Sequence, residues 1–356
     1  MSRPAALAAI TGIGPVGRPG VGLAELLAGP GVPDTPASGW RLHGVSAFDP
    51  AAHLGPKGWK FLPPVTRAAL AASRLALADA GLDVAASLRD AGEAAGTASA
   101  QERSAVVIGT NFAVAEINDR IDRALLAGGI AGISAVECPN FAVNVPASQV
   151  SITHRMKAFN VTLVNLLTAG CEAILLAARG LADGRADTAL AGAIEGPPPA
   201  AAAGVLGGEA DAFAACLLHL ETPARARARD AEVYAWLTGG LSRVLPAAPA
   251  ARAAALDTAL TRALTETDGP PANWLHLCVP AGPAGAALGT AARSWADGQL
   301  GAGRFSVTRG APQASATSVL WLARALAQRT VGELLLAVAG PQGHLVVLRL
   351  SSGEPS

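Results

Sequence analysis

The chain has 356 residues, of which 27 are basic and 27 acidic, so its formal charge cancels; only 15% of residues are charged and 51% are apolar. At roughly 100–200 residues per domain this length means two ordinary domains or one large fused pair, with ample apolar content for a buried core. The balance of charge removes any electrostatic reason to seek nucleic acid, an anionic bilayer or an acidic polymer, and 40 glycines with 25 prolines fall short of the roughly 25–30% that marks a disordered chain.

Short apolar runs alternate with longer amphipathic ones, which predicts an α/β protein. In chain order the pattern predicts a strand at 5–11, helices at 21–28 and 64–81, a strand at 104–109, and helices at 115–127 and 143–156. A strand at 160–166, a helix at 168–183 and strands at 187–193, 212–220 and 232–238 follow. The rest alternates: helix 250–266, strand 273–279, helix 284–297, strand 304–308, helix 313–328, then strands 333–339 and 344–350. The order is roughly repeated, with a first half ending near Glu195. Gly196 to Gly208, which contains Pro197-Pro198-Pro199, reads as a bridge without regular structure. Val84 to Ser104 reads as a low-complexity surface excursion.

Mean hydropathy is +0.36, but alanine supplies most of it, and Gly, Pro, Arg or Asp interrupts each apolar stretch before about 18 residues, so no membrane span is expected. Met1 to Ile10 lacks the charged-then-apolar plan of a signal peptide, which makes a cytoplasmic protein the expectation. Cys138, Cys171, Cys216 and Cys278 are widely spaced without a CxxC pair, the pattern of buried reduced thiols rather than zinc ligands or disulfides.

Gly12-Ile13-Gly14-Pro15-Val16-Gly17 satisfies the GxGxxG pattern of dinucleotide sites. Its context does not: Arg18-Pro19-Gly20 delays any helix to Val21, whereas a pyrophosphate needs the helix to open at the third glycine. Asp34, at a spacing where a ribose-binding acid belongs, sits in a turn. No cofactor is expected. His219 and His276 lie inside strand-like runs, where a hydrogen-bonded core imidazole is commoner than a catalytic one. The Arg225, Arg227, Arg229 alternation reads as a solvated turn or helix face, with a docking patch for an acidic carrier protein as the alternative.

Several segments, in order, resemble the β-ketoacyl synthase family. They are Ile10-Thr11-Gly12-Ile13-Gly14; Phe48-Asp49-Pro50 with Thr66 to Ala78 and Asp79-Ala80-Gly81-Leu82; and Asn144 to Ile152 with His154-Arg155-Met156-Lys157. Asp183-Gly184-Arg185-Ala186-Asp187 with Ala189-Leu190-Ala191-Gly192, Gly208-Glu209-Ala210, and Gly340 to Leu350 continue the series. The resemblance implies the thiolase-like fold, a duplicated βαβαβαββ unit stacked as five α-β-α-β-α layers. It also implies an N-terminal half over 1–207 and a shortened C-terminal half over 208–356.

The positions that the resemblance makes catalytic carry inert side chains. The nucleophilic cysteine falls on Leu167, which cannot attack a thioester. The two histidines fall on Pro280, or on Val279 with a one-residue slip, and on Gln313; the family lysine falls on Thr308. The backbone donor of the oxyanion hole falls on Pro341, which has no N–H. Losing one such donor costs about 10²–10³ in rate and losing a nucleophile or base on the order of 10⁴–10⁶. Cys171, one turn farther along the helix, is a candidate relocated nucleophile, but it has left the helix N-terminal field and has no histidine assigned to it.

The family includes chain-length factors, subunits without the cysteine that pair with an active synthase and shape its acyl tunnel. The expectation is therefore a catalytically inactive partner of a ketosynthase in polyketide or fatty-acid-type biosynthesis, with acyl carrier protein as a transient partner and with no nucleic acid, membrane, metal or cofactor. Pairing would use the strand Asn160-Val161-Thr162-Leu163-Val164-Asn165, while Leu166 and Leu167 fill the former reaction chamber. A homodimeric scaffold for acyl carrier protein and an acyltransferase using Cys171 are the alternatives.

Overall fold

The same strand and helix order occurs twice along the chain. The computed structural model describes residues 6–17, 20–28, 48–82, 97–208, 213–265, 271–330 and 332–354. Arg18-Pro19, the turn at Asp34, most of the low-complexity stretch from Val84 and Glu209-Ala210 lie outside the described residues.

The first run comprises β1 (Ala8–Gly17), the two-residue β2 (Gly20–Val21), short helices α1 (Leu23–Ala28) and α2 (Pro50–Leu54), then α3 (Pro64–Asp79) and short α4 (Thr97–Glu102). It continues through β3 (Ser104–Gly109), α5 (Ala115–Gly128), α6 (Val145–His154), β4 (Asn160–Leu163), α7 (Ala169–Ala182), β5 (Thr188–Glu195), short α8 (Ala203–Leu206) and β6 (Ala214–Glu221). The second run comprises α9 (Pro223–Ala228), β7 (Ala235–Val244), α10 (Pro249–Thr265), β8 (Trp274–Val279), α11 (Pro283–Gln299), β9 (Phe305–Arg309), α12 (Ser315–Ala327), β10 (Glu333–Ala339) and β11 (His344–Ser351).

Without α5 and the short elements, each run reads βαβαβαββ. The sheets agree as well: β4-β3-β5-β6-β1 in the first run and β9-β8-β10-β11-β7 in the second both place the third strand beside the second, then the fourth, fifth and first. They join where the two first strands run antiparallel, Ala8 opposite Leu237 and Ile10 opposite Ala235, as a local two-fold relation requires.

Strand side chains alternate between faces. Val106 and Ile108 of β3 pack with α3 and α6 on the outer side, whereas Ala105 and Val107 join the central cluster that holds α7 and α12. On the far side Leu275 and Leu277 of β8 meet α10 and α11. The result is the five-layered thiolase-like stack. Because α7 is covered by a sheet on each side, most of its circumference is buried and apolar, and only the stripe Glu172, Leu176, Arg179 and Ala182 is partly or fully exposed. Its small residues set the layer spacing: a Cβ on Gly170 would stand 2.7 Å from the Ala193 Cβ and 2.9 Å from the Ser315 carbonyl oxygen.

Strand β1 reaches Gly17 instead of ending near residue 11. Its glycines are not turn residues; α3 lies directly on Gly12 and Gly14, so that a Cβ on Gly12 would come within 2.1 Å of the Ala76 carbonyl oxygen. The Asp79-Ala80-Gly81-Leu82 ending also has a physical reason. Gly81, at φ 72°, closes α3 with the Leu82 N–H on the Leu77 carbonyl, and the Asp79 carboxylate takes the Ile13 N–H at 2.8 Å beside the β1 bulge. Strand β6 pairs with β5 and β1, so the strand that follows position 208 completes the first sheet. Counted by strand pairing, the two structural repeats meet between Glu221 and Ala235. The bridge holds a 3₁₀ turn and α8, and so is not wholly irregular.

Among the described residues no helix is long and apolar enough to cross a membrane, and no group of three or more His, Cys, Asp and Glu could hold a metal ion.

Candidate functional site

In sheets of this kind the reactive crevice lies at the carboxyl ends of the parallel strands. Here those ends are the Thr110–Ala113 loop after β3, Leu166-Leu167 before α7, Glu195 at the end of β5, Pro280 after β8 and the Gly310–Ala314 loop before α12.

Leu167 is buried in the central cluster, one residue before Thr168, the cap of α7. Gly109 lets β3 abut that helix start, since a Cβ there would lie 2.2 Å from the Ala169 carbonyl carbon. At the centre is a carboxylate that the sequence reading did not single out. Glu195 is fully buried and accepts five hydrogen bonds: on Oε2 from the backbone N–H groups of Asn111 and Phe112, both at 2.9 Å, and on Oε1 from Asn111 Nδ2 (2.8 Å), Ser315 Oγ (2.5 Å) and the Ser315 N–H (3.3 Å). Asn111 Nδ2 also reaches the Leu166 carbonyl at 3.1 Å. Burial pushes the Glu195 carboxyl above the ordinary glutamate range, opposed by the donors around it. The network ties the start of α12, in the second repeat, to β5 and the β3 loop of the first. Its only sequence signal is a single acid closing the apolar run Ala189 to Ile194.

The loops carrying Pro280 and Gln313 are covered by the bridge. The Ala281 N–H donates to the Val205 carbonyl at 3.1 Å and the Ala311 N–H to the Leu206 carbonyl at 2.6 Å, while the Leu206 side chain is buried in the central cluster. Backbone donors beside Pro280 and Gln313 are thus occupied by the chain itself. Gln313 is buried, donates its N–H to Thr317 Oγ1 at 3.2 Å and leaves Nε2 without a partner. The following residue, Ala314, holds φ 43°, a strained conformation at the start of α12. Thr308 Oγ1 lies 3.2 Å from His276 Nε2. Pro341 stands in the β10–β11 turn, where the Gly340 and Gly343 N–H groups are committed to the His344 and Gly340 carbonyls.

Cys171 is fully buried, its Sγ is 3.5 Å from Ser318 Oγ, and burial pushes its thiol up to about 12. Burial likewise raises Cys216 and Cys278, while Cys138 is exposed. A thiol-exchange reagent at pH 7.5 is therefore expected to modify Cys138 in the folded protein and to reach the other three only in denaturant. Rapid native modification of Cys171 would contradict this.

Three imidazoles are buried and hydrogen-bonded: His154 to Ser73 Oγ (2.8 Å), His219 to Thr11 Oγ1 (2.8 Å) and His276 to Ser306 Oγ (2.7 Å). Desolvation lowers the first two to about 4 and the third to about 3. Between those values and the ordinary 6.5 the unfolded chain binds protons that the folded chain does not, so their contribution to stability is complete above about pH 6.5 and is lost as pH falls towards 4. The urea midpoint is expected to drop between pH 7 and pH 5; unfolding without proton uptake in this range would refute the neutral buried state.

The arginine alternation is not a free patch. Arg229 Nε holds both oxygens of the buried Glu221 carboxylate at 3.0 Å, Arg225 lies 3.6 Å from it, and Arg227 pairs with Glu354.

The family model for the β-ketoacyl synthase N-terminal domain matches residues 30–207. No curated protein matches the chain. Among solved structures, a chain of the ishigamide ketosynthase/chain length factor is 22% identical, with a TM-score of 0.70 over 96% of this chain and 98% of that one. A chain of a type II PKS acyl-carrier protein in complex with its ketosynthase bound to the hexaketide is 19% identical, with a TM-score of 0.70 over 97% and 99%. A β-ketoacyl synthase from Burkholderia phymatum STM815 is 18% identical, with a TM-score of 0.72 over 99% and 100%. At these identities the structures establish the fold, and the family match establishes kinship: this chain belongs to the β-ketoacyl synthase family.

Proposed function

We propose that this chain is a catalytically silent, chain-length-factor-like subunit that pairs with an active ketosynthase in polyketide or fatty-acid-type biosynthesis, visited transiently by acyl carrier protein. The observation that supports the reading is the filled crevice: Leu167, which the resemblance sets at the nucleophile position, is buried, and the bridge carbonyls are bonded to the loops of Pro280 and Gln313. A solved relative described as a ketosynthase/chain length factor supports such a role by likeness.

The pairing surface would be β4, the outer strand of the first sheet, which bonds on one side to β3. The Phe159 carbonyl accepts from Val106 of β3 and the Leu163 carbonyl from Thr110 just beyond it, so by alternation the Thr162 N–H points to the open edge. Beside it, Ile152 and Val164 are large, apolar and exposed, the composition of a surface that a partner covers.

Co-expression with a ketosynthase from the same genome tests the reading. A one-to-one heterodimer is expected, together with no acylation of the isolated chain by an acyl-carrier thioester. Thr162→Pro removes an outward N–H without removing a β3 bond, and is expected to weaken the heterodimer by at least about 100-fold while leaving the thermal midpoint within a few degrees. Self-acylation and elongation by the isolated chain would overturn the silent-subunit reading, and a homodimer that no ketosynthase displaces would favour a scaffold instead.

A further inference from the structure

A cavity of about 350 Å³ opens at the amino ends of β8, β9 and β10, opposite the crevice described above, and is lined by Trp274, Ser306, Trp321, Ala325, Thr330 and Leu334 among others. That volume lies at the small end of the range for ligand sites. Trp274 and His276 share a face of β8 turned towards α12, and the His276 ring lies flat on Trp321, with centroids 3.5 Å apart and 7° between planes. Trp274 Nε1–H donates to Ser306 Oγ at 3.2 Å, and Ser306 Oγ meets His276 Nδ1 at 2.7 Å.

Two features define what the cavity could hold. First, its walls are two indoles, aliphatic groups and the hydroxyls of Ser306 and Thr330, the latter donating to the Ala325 carbonyl at 3.2 Å, and none of the lining residues is charged. Second, a hydroxyl can donate one hydrogen bond and accept two, so Ser306, with two bonds made, has one position left at the cavity wall. Whether that position is a proton or a lone pair depends on the His276 tautomer, and a hydroxyl on the ligand satisfies either.

We propose that this cavity is a binding site for an uncharged planar aromatic molecule bearing a phenol-type hydroxyl, its ring against the indoles of Trp274 and Trp321 and its hydroxyl on Ser306. Aromatic walls favour a flat ring, and a carboxylate or ammonium would be buried there without a counter-charge. Desolvation keeps His276 neutral, so it supplies no cation to an anionic ligand. The site does not depend on the subunit role proposed above.

Calorimetric titration of the full chain with naphthol, naphthalene and naphthalenesulfonate tests the assignment. Naphthol is expected to bind saturably at one site, about tenfold more tightly than naphthalene, the difference one hydrogen bond makes, and the sulfonate at least about tenfold more weakly than naphthol. Ser306→Ala should bring naphthol to the naphthalene level, and Ala325→Phe, which fills the cavity, should abolish both. Absence of saturable naphthol binding, equal binding of naphthol and naphthalene, preference for the anion, or undiminished binding by a folded Ala325→Phe variant would each overturn the proposal. The three-ligand comparison on the unaltered chain decides the matter even if a variant does not fold.

Discussion

Replacing Glu195 by alanine is expected to lower the unfolding free energy by about 4–5 kcal/mol. The carboxylate is the common acceptor for five donors in a fully buried place, and each donor stranded without water costs about 1–3 kcal/mol, less than additively because the pocket relaxes. Glu195→Gln keeps the shape but turns one oxygen into a donor facing other donors, so an intermediate loss of about 2–3 kcal/mol is expected. Ser315→Ala removes a single partner and should cost about 1 kcal/mol. Urea unfolding at pH 7.5 measures all three. A loss below about 1 kcal/mol for Glu195→Ala would mean that this carboxylate does not clamp the repeats together.

The second large effect concerns β1. In Gly14→Ala the new methyl would stand 1.9 Å from the Ala72 carbonyl oxygen and 2.6 Å from the Ala76 nitrogen, both backbone atoms of α3, which cannot swing aside as a side chain would. Overpacking of this kind costs about 3 kcal/mol or more. Gly12→Ala meets the Ala76 carbonyl at 2.1 Å and should behave alike, whereas a methyl on Gly17 finds its nearest neighbour at an ordinary 3.6 Å and should be tolerated within about 1 kcal/mol. The contrast separates two meanings of one motif. A phosphate cradle needs its third glycine for close helix packing; here the first two lie under a helix and the third lies in a strand. Equal destabilisation at all three positions would contradict the packing explanation.

Much of this architecture is legible in one dimension. Ten strands and eight helices follow from apolar periodicity, which the longer elements display over several turns or alternations; the short helices at 50–54, 97–102, 203–206 and 223–228 do not show it. Strand β7 outruns its expected end, as β1 does, because Gly239-Gly240 reads as a break while the fold uses Gly240 for contact: a Cβ there would meet the Val347 carbonyl oxygen at 2.6 Å. The assignment of Leu167, Pro280, Gln313 and Pro341 to the family's catalytic positions rests on motif order, and the silence proposed from it rests on residue identity, since a thiol or imidazole is either present in the sequence or not.

Identity and local order therefore specified the α/β class and the repeated unit, and they carry the proposal that the family's catalytic positions hold inert side chains. Tertiary structure alone decided how the crevice at the strand ends is held and covered. Asn111 and Ser315 stand 84 and 120 positions from Glu195, the bridge lends its carbonyls to loops far along the chain, and Trp274 meets Ser306 across two strands. A hydrogen bond needs its partners within about 3 Å whatever their separation in sequence, and only the folded backbone brings such partners together.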